Sequence, residues 1–296
     1  MFKTPIILIV FNRPNETRKV LKKIVEVNPK NVYVIADGPR DNFEITKTNE
    51  VRNIIDEELS QFNIIKYYSE KNLGTKKRIV SGLNWVFGQE NEAIILEDDC
   101  LPDNSFFVYA ENLLKHYEDD KRIMTISGNN FFDAKKSYTK HSYYFSLNHH
   151  IWGWATWKRA WNLYDENLKN WNEFKEENLL FNLFGNKYEA KIWFDIINAS
   201  YNHPEYTWDH QWIYTCLQNS GLCITPKVNL VENIGFTSNA TRTKDKKSPF
   251  SELKTGTLEF PLVHPTYIVR DRKLDLLESK HLKQSLFKKI INKLID

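Results

Sequence analysis

Through the first 130 positions, short apolar runs alternate with segments whose apolar residues recur at helical spacing. The continuous runs fall at Pro5–Phe11, Val32–Asp37, Phe62–Tyr68, Ala93–Glu97 and Ile123–Ser127. Between them stand Val20, Leu21, Ile24 and Val25, and then Val51, Ile54, Ile55 and Leu59, in the rhythm of amphipathic helices. Strands apolar on both faces and separated by helices predict an α/β fold, a parallel sheet covered on both sides, with ligands bound at the carboxyl ends of the strands. Residues 141–235 mix short strands with helical stretches at Lys187–Ala199 and Trp208–Ser220, and no Pro- or Ser-rich linker marks a boundary. The expected organisation is one unit over residues 1–265, in halves 1–130 and 131–265, followed by a tail over 266–296.

Composition narrows the class. With 296 residues, 41% hydrophobic and 14% aromatic, the chain can bury a sizeable core. Lys and Arg number 41 against 38 Asp and Glu, a balance that does not call for nucleic acid as a partner. The run Ile6–Phe11 is too short for a signal-peptide core or a membrane span and is ended by Asn12, Arg13 and Pro14, so a cytoplasmic protein is expected. Cys100, Cys216 and Cys223 are odd in number and lack CxxC spacing, which indicates neither a disulfide framework nor a zinc site.

The chemistry gathers at the predicted strand ends, which read FNRPNETR, DGPRD, SEKNLGTKKR and EDDC in order. No glycine stands between Asn12 and Arg18, which excludes a G-x-G-x-x-G dinucleotide site, and NLGTKKR is not a P-loop. What remains is a nucleotide site in which phosphates are neutralised by basic side chains and by a metal on carboxylates. Glu97, Asp98 and Asp99 are then the metal site, and strand alternation places Asp98 and Asp99 on opposite sides, one for a cation and one for a sugar hydroxyl. Each feature also has a plainer reading: the acids as a turn leading into a helix, Asp37 and Gly38 as a simple turn, Arg13 as a surface cation, and Lys76 to Arg78 as a solvated helix face.

Three further segments, HHIWGWATWKRAW, TWDHQW and GLCITPKVN, follow IILEDDCLPDNSFF in that order. Together they resemble the metal-dependent glycosyltransferases of the GT-A fold, in particular the inverting N-acetylglucosaminyltransferase I group and related bacterial enzymes, over most of residues 3–242. The resemblance implies a Rossmann-like, mostly parallel sheet flanked by helices, with a nucleotide-sugar half and an aromatic-rich acceptor half. It also implies a UDP-sugar donor, Mn2+ or Mg2+ on Asp99, and nucleotide contacts from Arg13, Asp37 and Arg78, with Asp37 at the place of a uracil contact. Where that group has two acids after the Trp, this chain has Asp209 and His210, and both are candidates for the catalytic base. His264, in PLVHP, would complete the metal shell as histidines do in some members of the fold. Arg242, in the polar segment ENIGFTSNATRTKDKKSPF, is the expected diphosphate contact of a loop that closes over the donor. Aromatic faces suit the apolar side of sugars, so Trp152 or Trp154 is expected to wall the acceptor cleft.

The tail places Leu282, Leu286, Ile290 and Leu294 at four-residue spacing among lysines. Such a basic amphipathic helix packs on the catalytic unit or a second subunit, or lies on an anionic membrane surface. The expected activity is inverting, metal-dependent transfer from a UDP-sugar to a glycan or lipid-linked acceptor in surface polysaccharide synthesis. The competing readings are a retaining enzyme of the same fold, a sugar nucleotidyltransferase and a non-catalytic carbohydrate-binding protein. The nucleotidyltransferases carry a G-x-G-T-R loop after the first strand, absent here, and a binding protein has no use for three acids beside basic residues.

Overall fold

The structure, a computed structural model, describes residues 1–132, 138–205, 207–236 and 253–280. Arg242 and the tail from residue 281 lie outside the described residues. The chain begins with β1 (Ile6–Val10), α1 (Pro14–Glu26), β2 (Asn31–Ala36), α2 (Asn42–Glu58), β3 (Asn63–Tyr68), α3 (Thr75–Phe87) and β4 (Glu92–Glu97). It continues with β5 (Cys100–Pro102), α4 (Asn104–His116), β6 (Ile123–Ser127), β7 (Tyr143–Ser146) and β8 (Trp154–Trp157). Then come α5 (Lys158–Trp161), α6 (Trp171–Glu176), α7 (Leu179–Phe184), α8 (Lys187–Asn202), α9 (Asp209–Gln218), β9 (Leu222–Pro226) and β10 (Val231–Asn233).

Eight strands form one sheet in the order β3-β2-β1-β4-β8-β6-β9-β7, with β10 and β5 paired beside it. The pairs β1–β2, β1–β4, β2–β3 and β6–β9 are parallel, whereas β8 runs antiparallel to both of its neighbours and β7 is antiparallel to β9. This is the expected α/β architecture, a mostly parallel Rossmann-like sheet flanked by helices. Both halves of the chain contribute strands to it. The predicted strands of the first half match β1, β2, β3, β4 and β6 to within a residue at each end.

Period-two alternation distributes β1 between two cores. Ile6, Leu8 and Val10 pack with Val20, Leu21 and Ile24 of α1, Ile54 and Ile55 of α2, and Phe106 and Leu113 of α4. Ile7 and Ile9 face the opposite layer, with Ile79, Leu83 and Val86 of α3 and Trp154, Trp161 and Trp212. A third cluster, including Trp171, Phe184, Trp193 and Tyr214, joins α6 to α9. The segments that lead from strand to helix are fixed locally. Asp41 caps α2 by accepting from the Phe43 and Glu44 amides, and Asp103 caps α4 by accepting from Ser105 N at 2.9 Å. Capping of α4 therefore falls to Asp103, and the three preceding acids are left for other work. All three cysteines are buried free thiols. No helix among the described residues is long and apolar enough to cross a membrane.

Candidate active site

One cleft of about 420 Å3 opens at the carboxyl ends of β1, β2 and β4. The end of β1 supplies Arg13, the end of β2 Asp37, and the end of β4 Glu97, Asp98 and Asp99; Arg78 comes from the first turn of α3. From the second half, Ile151, Trp152, Trp208, Asp209 and Asn233 complete the lining.

Arg13 precedes Pro14, the first residue of α1, and its side chain makes no helix-capping bond. It turns instead to the acids: NH1 donates to Asp98 Oδ1 at 3.0 Å and also to Asp99 Oδ2. Burial works against the Arg13 charge, but the Asp98 and Asp99 carboxylates outweigh it and hold the guanidinium more firmly protonated than usual. The expectation that Asp98 and Asp99 part to opposite sides is corrected here. The strand ends at Glu97, both residues sit in a turn, and the two carboxylates meet the same nitrogen. Asp98 Oδ2 also accepts from Phe11 N at 3.1 Å. Burial pushes the Glu97 carboxyl well above its usual range, and the Asp99, Asp98 and Asp209 charges push it further. Asp98 shifts up for the same first reason, with Arg13 opposing. Behind Asp99, the Ile234 amide donates to its carbonyl at 2.8 Å, and a Cβ at Gly235 would overlap the Asp99 carboxylate, so this close approach requires glycine.

Asp37 Oδ1 accepts from the amides of Gly38 and Leu73, both at 2.9 Å, and Oδ2 accepts from Gly74 at 3.1 Å. Burial raises its pKa, and those amides together with the Arg78 charge oppose the rise. In this arrangement the carboxylate fastens the loop before α3, so much of the acceptor capacity expected for a uracil is spent on the protein's own backbone. Arg78 is buried, donates NH2 to Tyr67 O at 2.5 Å and lies over the Tyr67 ring at 4.2 Å.

Asp209 is the first residue of α9, lines the cleft and accepts from Thr207 Oγ1. His210 turns the other way, with Nδ1 2.7 Å from Ser200 Oγ on α8, and does not line the cleft. The two tryptophans of IWGW also separate. Trp152 is half-buried on the cleft wall, its amide donating to Asn129 Oδ1 at 3.0 Å, while Trp154 is core, stacked on Trp208 and packed against Trp161 and Trp212. In a continuous strand the two side chains would share a face, but the left-handed backbone of Gly153, at φ +66°, interrupts the alternation. The cleft role expected of Trp154 is thereby corrected.

His264 does not join the metal shell expected of it. Its ring stacks on His116 at the last residue of α4, 4.4 Å between centroids, and its Nδ1 is 2.8 Å from Tyr143 OH. Thirteen residues of α4, roughly 20 Å at 1.5 Å per residue, separate that point from the end next to Asp99. His264 therefore stands outside the acidic cluster. Sequence reasoning missed Trp208 and Asn233 as cleft residues. Trp208 was visible only as one of many tryptophans, and Asn233 depends on the pairing of β10 with β5, which sets it opposite Cys100.

The donor set bears on a metal. Among the described residues no three His, Cys, Asp or Glu side chains gather closely enough to enclose an ion. One or two carboxylates with hard oxygens, in a site crowded with negative charge, nevertheless fit a divalent cation that takes its remaining ligands from phosphate and water.

No protein-family model matches the chain, and no curated protein matches it. Solved structures match at low identity. A 4-diphosphocytidyl-2C-methyl-D-erythritol synthase from Anaerococcus prevotii is 10% identical, with 57% of this chain and 78% of that one covered and a TM-score of 0.34. A mannosyltransferase from Pyrobaculum calidifontis in complex with GDP-Man and Mn2+ is 16% identical, with 57% and 47% covered and a TM-score of 0.35. The chain thus spans about half the length of that mannosyltransferase. A UDP-glucose pyrophosphorylase complexed with UDP-glucose is 9% identical, with 50% and 64% covered and a TM-score of 0.28. Superpositions this weak leave the site to be read from its own geometry.

Proposed function

We propose that the chain is an inverting glycosyltransferase that moves a sugar from a nucleoside-diphosphate sugar, UDP-linked, to a hydroxyl of a glycan or lipid-linked acceptor. The observation that carries this reading is the convergence, in one cleft, of Arg13 and Arg78 with the acids at the end of β4 and with Asp209 from the opposite half. Arg13 and Arg78 supply positive charge for a diphosphate. A divalent cation held by Asp99 would offset the charge that develops on the departing diphosphate. Asp209 takes the proton from the acceptor hydroxyl as its oxygen bonds to the anomeric carbon. The bond from that carbon to the phosphate oxygen breaks on the opposite face, and its electron pair leaves with the diphosphate. The N-terminal end of α9, where the helix dipole is positive, favours negative charge at Asp209 before the proton arrives. Trp152 offers a ring to the apolar face of a sugar.

A thermal-shift panel of UDP-, GDP-, CDP- and dTDP-sugars, each with Mn2+ and with EDTA, tests the reading. Saturation at a hundred times Kd adds about 2.7 kcal/mol to stability, enough to move the transition by several degrees. A shift confined to a UDP-sugar with Mn2+ is expected, and Asp99→Asn should abolish the metal dependence with the fold intact. Equal shifts in Mn2+ and EDTA remove the metal, and no shift with any nucleotide sugar removes the donor class.

A further inference from the structure

A buried lysine joins the first turn of α3 to the loop that presents Asp209. Lys76 is only 7% exposed and follows Thr75, a cleft residue. Its Nζ donates to the carbonyls of Pro204 at 2.7 Å and Glu166 at 3.0 Å, and the Glu166 carboxylate lies 3.7 Å away. Lysine is rarely buried without a partner for its charge, and burial depresses the Lys76 pKa against the favourable charges of Glu166, Glu205 and Asp165. What the cation fastens is a short stretch of chain. The Pro204 carbonyl also accepts from Gln211 Nε2 at 3.2 Å, and the Trp208 carbonyl accepts from Tyr164 OH at 3.1 Å. Asp209 follows immediately. Arg78, which lines the donor end of the cleft, leaves the same turn of α3 as Lys76.

We propose that Lys76 is a positioning residue, which fastens Pro204 to the first turn of α9 by way of Gln211, so that Asp209 faces the acceptor, and ties that placement to the helix turn that carries Arg78. The proposal rests on the reading of Asp209 as the base. A lysine that merely braced the fold would leave a different signature in a double-mutant cycle.

The cycle uses Lys76→Met, Asp209→Asn and the double variant in the full chain with Mn2+. Turnover is read as UDP release from the UDP-sugar that the panel selects, and affinity by titration with UDP. Lys76→Met is expected to lower kcat about 10- to 100-fold with the UDP Kd within about twofold, and to speed amide exchange at Glu205, Thr207 and Trp208. In the Asp209→Asn background the same change should cost less than about twofold. Equal losses in the two backgrounds, or a loss of UDP affinity that matches the loss of kcat, overturn the proposal and leave a brace. Wild-type turnover in Asp209→Asn alone would overturn the base reading and this proposal with it. If Lys76→Met does not fold, Lys76→Gln, which keeps an N–H donor, decides the same cycle.

Discussion

Asp209 and His210 are adjacent in the chain, yet one opens α9 toward the cleft and the other reaches back to Ser200. The difference separates their variants. Asp209→Asn should lower kcat at least about 10²-fold with donor affinity nearly intact, the loss expected when a positioned base is removed. His210→Ala removes the contact with Ser200 and should cost about 1 kcal/mol of stability while sparing turnover. A silent His210→Ala beside an active Asp209→Asn would transfer the role of base to His210. A product that keeps the donor's anomeric configuration would eliminate single displacement.

At the scale of elements, Asp37 holds the loop between β3 and α3. Asp37→Ala would leave the amides of Gly38, Leu73 and Gly74 without their acceptor, a cost of about 2 kcal/mol, visible as a lower urea midpoint. An unchanged midpoint would mean that water replaces the carboxylate there. The same elements show what the sequence can and cannot disclose. β1, β2, β4 and β6 were legible because strands buried on both faces are continuous apolar runs of fixed length. The acids were legible because they end such a run. β8 was not, since WATW acquires its place only by pairing with β4 and β6, far away along the chain. Trp152 and Trp154 could not be told apart from their aromatic faces alone; the left-handed backbone of Gly153 between them sends one to the cleft and the other to the core. His264 looked like a ligand because histidines complete the metal shell in some members of the fold that the chain resembles. Only the path of residues 253–271 along the molecule places it against the far end of α4, where it meets His116.

For the molecule as a whole, His149 sets a pH limit. It is buried, with Nδ1 3.0 Å from Thr125 Oγ1 and Nε2 3.3 Å from Gly221 O, and burial holds its pKa down to about 3. In the unfolded chain an imidazole takes a proton near pH 6.5, whereas the folded protein refuses it until about pH 3. The neutral ring is therefore compatible with full stability above 6.5, and stability is lost as pH falls between those values, by roughly 1.4 kcal/mol per unit at most. Burial raises the carboxyls of Glu189 and Asp275, which gives a contribution of opposite sign in acid. Urea midpoints between pH 7 and pH 4 should accordingly fall more steeply for the wild type than for His149→Gln. Parallel slopes would locate the acid sensitivity elsewhere.

The antiparallel strand β8, threaded between β4 and β6, also constrains how the chain is made. During synthesis β4 leaves the ribosome with β1 on one side and nothing on the other. Roughly 60 more residues must follow before β8 is complete, on the order of 3–12 s at typical elongation rates. For that interval the nascent chain carries an open sheet edge of apolar residues, a template for pairing with a neighbouring chain. A fragment that stops at residue 130 keeps the edge open permanently and should be recovered as aggregate, whereas extending it through the last residue of α9, at 218, supplies β8 together with the tryptophans of α5 and α9 that cover it. If fragment 1–130 proves monomeric by sedimentation, the edge is harmless; if it aggregates, the second half of the protein acts as a chaperone for the first, built into the same polypeptide and delivered a few seconds late.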